Sequence, residues 1–235
     1  MVIGGASFLA GCALTLYGWN STALRLRPRR ARRSRSARAA YQQAIDSGHP
    51  DYAPQAAAAL AELLADRGDI DGARSAYQQA ISSGHPDVAP KAADDLGLML
   101  GAQHDQPDAE EDAVKAFQYA ADSDHPFYAP KAAWMLGIML AARGDLTGAR
   151  AAFQRAIDTS PPDQAGKRAI DLAVMLAGDF ADLAGAQSIL EGIIDSGNPV
   201  YAEQARAELD LLLAADGDAD AYRRHIDDKW WAEAD

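Results

Sequence analysis

The chain has 235 residues, 49% of them hydrophobic, with a formal net charge of −12. That acidity disfavours non-specific binding to nucleic acid or anionic lipid. The single cysteine, Cys12, excludes a disulfide within the chain and fits a reducing compartment.

The charge is unevenly placed. Residues 1–44 hold eight arginines and no acid, whereas residues 45–235 hold 14 Lys+Arg and 34 Asp+Glu, 14 − 34 = −20. Residues 2–24, VIGGASFLAGCALTLYGWNSTAL, carry no charge, and RLRPRRARRSRSAR follows. An apolar run of about 18 residues beside an arginine cluster reads as a membrane anchor. It would hold the rest of the chain in the cytoplasm, at the inner face of the plasma membrane. Leu9-Ala10-Gly11-Cys12 also resembles a lipoprotein signal, and a non-native leader is the third reading. The sequence leaves these three open. No aromatic side chain interleaves the arginine cluster, so nucleic acid is not an expected partner.

Residues 37–46 read as the second helix of a pair whose first helix is missing. That leaves an open N-terminal face through which copies could self-associate. It is also the cue for an alternative, that the chain is a fragment or sensor module of a larger signalling or regulatory protein.

Residues 51–83 form a full helix pair. Asp51 and Pro54 start the first helix, and Ala56, Ala57, Leu60, Leu63 and Leu64 are expected inward. Gly68-Asp69 turns the chain, and Ala73, Tyr77, Ala80 and Ile81 form the inner face of the partner helix. Arg67-Gly68-Asp69 and Arg143-Gly144-Asp145 spell the integrin-binding tripeptide, but each reads as a glycine helix stop followed by an aspartate cap. Residues 87–122 repeat the pattern with a longer turn at Gln103–Glu111. In residues 127–159, Ala133, Leu136, Gly137 and Leu140 share one helix face, and Ala149, Phe153, Ala156 and Ile157 share the next. Residues 163–195 are a diverged copy with Leu190 in the aromatic slot and a reshaped turn at Ala177–Gly185. Residues 200–214 supply another first helix through Ala202, Ala205, Leu209, Leu212 and Leu213. Residues 218–232 close the stack with an irregular helix around Tyr222, Ile226 and Trp230.

The copies are plain in the second helices. YQQAIDSGHPDYAP begins at Tyr41, YQQAISSGHPDVAP at Tyr77, FQYAADSDHPFYAP at Phe117, FQRAIDTSPPDQAG at Phe153 and LEGIIDSGNPVYAE at Leu190. A two-helix hairpin cannot bury its apolar face alone, so such units must stack.

Leu136, Gly137, Ala149, Phe153, Ala156 and Pro161 resemble the marks of the tetratricopeptide repeat family, in the form found in bacterial arrays. Leu96, Gly97, Ala113, Phe117 and Ala120 match in the unit before, and Leu60, Ala61, Ala73, Tyr77 and Ala80 in the one before that. The period is mostly 36 residues rather than the family's 34, and its first-helix aromatic pair is missing. The resemblance implies an all-α, right-handed α-solenoid of antiparallel helix pairs. Residues 1–24 would be the apolar segment, 25–36 an arginine-rich linker, 37–215 the array and 216–235 a capping helix and tail.

Chemistry is sparsely represented. His49, His85 and His125 recur at the repeat spacing, but repeats stack about 10 Å apart while zinc ligands lie about 2.0–2.1 Å from one ion. They are expected to help close the preceding helix. Asp94-Asp95 and Glu110-Glu111 are adjacent on helices and point about 100° apart, unlike an acid/base pair. His104 has no recognisable catalytic partners. No catalytic residue, metal or cofactor is predicted, and the chain reads as a non-enzyme.

In the family the first helices line a concave groove that holds a peptide. Carried over by position, Lys91, Lys131 and Lys167 give a basic edge. Asp94, Trp134 and Ile170 follow one turn on, then Leu98, Ile138 and Val174. The resemblance implies a protein or peptide partner with acidic and apolar residues, anchored on Trp134. The asparagines of the family's chaperone-tail clamp are absent from these positions.

Overall fold

The structure, a computed structural model, describes residues 28–103 and 107–232. Among them it is all-α: α1 Pro28–Asp46, α2 Tyr52–Ala65, α3 Ile70–Ser82, α4 Val88–Gly101, α5 Pro107–Ala121, α6 Tyr128–Ala142, α7 Leu146–Asp158, α8 Pro162–Gly178, α9 Leu183–Asp195, α10 Pro199–Ala214 and α11 Ala219–Ala232. The apolar segment 2–24, His104 and the side chain of Trp230 lie outside this description. No helix among the described residues is long and apolar enough to cross a membrane.

The turns follow from local chemistry. Gly68 and Gly144 have φ of +76° and +80°, a left-handed conformation that glycine adopts without a Cβ clash and that ends α2 and α6. The next residue then caps the following helix. Asp69 Oδ1 accepts from the Gly72 amide at 3.1 Å and Asp145 Oδ1 from the Gly148 amide at 2.9 Å. Both Arg-Gly-Asp tripeptides are therefore turn-and-cap elements.

The chain divides between Ala152 and Phe153 into two compact units, a boundary that falls inside α7. In the N-terminal unit α3 packs between α2 and α4, and α5 between α4 and α6. The first helices α2, α4 and α6 touch their neighbours as one layer, and α1 packs on α2. The core is mostly alanine, with Leu60, Leu64, Tyr77, Leu96, Leu100 and Phe117 buried among it. Gly97 explains the Leu-Gly signature: a Cβ there would stand 2.7 Å from the Phe117 ring. The ring can lie on the backbone of α4 only because that Cβ is missing.

In the C-terminal unit α8 packs on α9, α9 on α10, and α11 against α8 and α10. Leu190 fills the slot that aromatics hold elsewhere, and Tyr222 of α11 is fully buried. Tyr201 reaches back from α10 over Gly166 of α8, where a Cβ would meet the ring, and its hydroxyl donates to the Asp163 carbonyl.

Three local expectations are corrected. The first described helix starts at Pro28 rather than Ala37, so the arginine run is helical from residue 28 onward. Arginine is a good helix former and proline suits a first helical position. Leu63 is half-buried rather than inward, and Leu213 is exposed.

Candidate functional site

The nine residues expected along the first helices fall into two groups. Lys91, Asp94, Leu98, Lys131, Trp134 and Ile138 belong to the N-terminal unit; Lys167, Ile170 and Val174 belong to α8 of the other.

In the N-terminal unit the lysines are not a free basic edge. Lys91 Nζ lies 2.7 Å from Glu62 Oε1 on α2 and 2.7 Å from Asp95 Oδ2 on its own helix. Lys131 Nζ lies 2.6 Å from Asp94 Oδ2. Each lysine, one turn into its helix, thus reaches back to an acid on the preceding first helix. Repeat spacing brings position 91 beside 62 and position 131 beside 94, which no single repeat reveals.

Asp94 is 0% exposed, and its Oδ1 has no hydrogen-bond partner. Burial pushes its carboxyl above the ordinary carboxylate range, although the Lys131 ammonium pulls it back. Two hydroxyls border the same seam. Tyr77 on α3 is raised by burial and then by the charges of Asp95 and Glu62. Tyr128 on α6 is raised by burial while Lys91 opposes it. The charges at 62, 91, 94, 95 and 131 therefore form one electrostatic cluster across α2, α4 and α6.

Trp134 is 7% exposed and sits among the buried residues of α6 rather than projecting as an anchor. Leu98 and Ile138 are half-buried, as is Leu63 on α2. These three, with the exposed or half-exposed Glu62, Lys91, Asp95 and Lys131, line the first-helix layer. In α8, Lys167 is exposed and pairs with Asp171 one turn on at 2.9 Å, Ile170 is buried and Val174 half-buried.

The histidines do something the sequence reading assigned elsewhere. Nδ1 of His49 accepts from the amides of Asp51 and Tyr52, at 3.2 and 3.4 Å. His85 does the same for Asp87 and Val88, and His125 for Phe127 and Tyr128. Each therefore caps the helix that follows. The helix before is closed by the serine two residues earlier: Ser83 Oγ donates to the Ala80 carbonyl at 2.6 Å and accepts from the His85 amide at 3.2 Å. Ser47 and Ser123 repeat this geometry, and Ser196 with Asn198 is its asparagine version. An Nδ1 that accepts leaves the proton on Nε2. Nε2 of His85 lies 3.7 Å from Asp51 Oδ1, and that of His125 4.0 Å from Asp87 Oδ1, one repeat back. The recurring Ser-x-His-Pro was the signal; its hydrogen bonds became assignable only with the backbone in place. Among the described residues no group of three or more His, Cys, Asp or Glu side chains could hold a metal ion.

A family model described as tetratricopeptide repeat matches residues 29–93 and 111–164, just over half of the chain. Among curated proteins none matches.

Proposed function

The chain belongs to the tetratricopeptide repeat family, whose repeats generally mediate protein–protein contacts and typically serve as non-catalytic scaffolds; from that premise we propose that it is a docking module that takes a peptide or protein segment on its first-helix layer. The observation that supports this reading is the side-by-side arrangement of α2, α4 and α6, with half-buried Leu63, Leu98 and Ile138 bordered by charged side chains. An apolar strip with a polar border is the usual anatomy of a docking surface. Lys91 and Lys131 border the strip, while Asp94 and Trp134 support it from beneath. Lys167, Ile170 and Val174 are the corresponding strip of α8 in its own unit.

The test uses the full chain as bait in native lysate, beside Leu98→Gln and Ile138→Gln variants that keep wild-type helical content by circular dichroism. At least one protein should be retained by the wild type and lost by both variants. Identical recoveries from all three would remove this layer as the docking surface.

A further inference from the structure

We infer that the segment docking on the α2–α4–α6 layer is basic, with arginine or lysine side chains interleaved with apolar ones. This deepens the docking reading and rests on it.

The first observation is the charge left after the chain's own pairing. Lys91 stands between two carboxylates, Glu62 and Asp95, so the trio retains a net negative charge. Lys131 is matched to Asp94. Asp51, Asp66 and Asp87 stand exposed at the ends of α2 and α4, against Arg67. Glu62 and Asp95 each place one oxygen on Lys91, and a carboxylate oxygen pair can accept further donors.

A second, independent observation comes from beneath the surface. Asp94 is fully buried, yet its Oδ1 receives no hydrogen bond. A buried acceptor in that state is rare and destabilising. Its other oxygen holds Lys131, and Lys91 and Asp95 lie close enough to act on it electrostatically. A cation held over Lys91 and Lys131 would ease the cost of that buried carboxylate electrostatically, and another carboxylate there would raise it.

Third, large aromatic faces stand at the start of the layer. Tyr52 is 63% and Phe127 60% exposed, and Phe127 meets Tyr128 edge-on at 5.1 Å. Such faces attract guanidinium and ammonium groups. The balance of −20 over residues 45–235 would steer a cationic segment toward the chain. An acidic segment meets none of these features.

The experiment measures binding of three labelled synthetic peptides to the full chain by fluorescence anisotropy. Their leucines are identical, and the residues between are arginine, glutamine or glutamate. The arginine peptide should bind about tenfold or more tightly than the glutamine one, a difference that salt diminishes. Glu62→Gln combined with Asp95→Asn should abolish most of that preference. The charge-matched pair Glu191→Gln with Glu203→Gln, on the other unit, should leave it intact. Equal loss in both pairs would reduce the effect to overall charge and overturn the inference. Tighter binding of the glutamate peptide, or no binding of any, would also overturn it. The Leu98→Gln and Ile138→Gln capture experiment decides the docking reading separately. Salt-sensitive self-association of the chain, competed by the arginine peptide, would support the inference with the arginine-rich stretch of a second copy as the source.

Discussion

The hairpin α4/α5 and the hairpin α8/α9 solve one packing problem in two ways. In α4/α5 a large ring, Phe117, lies on a helix backbone that has no Cβ at Gly97. In α8/α9 the corresponding slot holds Leu190, and glycine has moved to position 166, under Tyr201 of the next helix. The entry to α8 changes as well. α2, α4 and α6 are each capped by a histidine, whereas α8 starts on Pro161-Pro162 without a side-chain cap bond. The difference teaches that the same buried slot accepts either a ring or an aliphatic side chain. Phe117 lies where position 97 has no Cβ, whereas Tyr77 in α2/α3 is buried with alanine at the corresponding position 61.

The largest test of that view is truncation of the slot itself. Phe117→Ala should destabilise the N-terminal unit by about 3–5 kcal/mol and Leu190→Ala the C-terminal unit by about 2–5 kcal/mol. Urea unfolding followed by circular dichroism measures both. If Phe117→Ala proved nearly neutral, the ring would not be what fills the α4/α5 gap. Next comes overpacking: Gly97→Ala should cost about 1–3 kcal/mol. Adding Phe117→Leu should recover part of that loss by imitating α8/α9. Failure of the second change to help Gly97→Ala would break the link between the small residue and the ring.

The capping difference predicts smaller shifts. His85→Ala should lower stability by about 1 kcal/mol, while His85→Asn, which imitates Asn198, should stay close to wild type. Equal losses in the two variants would show that the imidazole does more than accept from the helix amides. In the reshaped turn before α9, Ala181 has a φ of +52°. Ala181→Gly should therefore stabilise by about 0.5–1 kcal/mol, seen as a rise in melting temperature.

The buried carboxylate of α4 adds a pH dependence. Asp94 titrates above its ordinary range in the folded chain because it is buried. Its contribution is thus fully present below about pH 3.9 and declines as pH rises through the raised folded value. Wild type should lose ground against Asp94→Asn over that window, by at most about 1.4 kcal/mol per pH unit. A stability difference that stayed flat with pH would contradict this assignment.

Much of the fold was legible before any coordinates. Alanine-rich faces at helical spacing, glycine-aspartate turns and copies recurring near 36 residues specify helix pairs, because each is a local property of a few residues. The candidate site was legible only as a set of positions. Lys91, Lys131 and Trp134 were placed on the first helices, but the partners and burial of their side chains were not legible there. Whether a lysine is available depends on what stands 29 or 37 residues away, and whether a tryptophan projects depends on the neighbouring helix.

The sequence by itself determined the helices and the glycine-aspartate turns that stop one and cap the next. All of these act over one or two helical turns, where side-chain size, backbone freedom and hydrogen-bonding capacity decide the outcome. Only the tertiary structure decided that Asp94 is buried under Lys131, that Glu62 and Asp95 share Lys91, and that His85 and His125 reach an aspartate one repeat back. These are electrostatic contacts between residues far apart in the chain. Their strength is set by burial and by a spacing that exists only once one repeat is packed on the next.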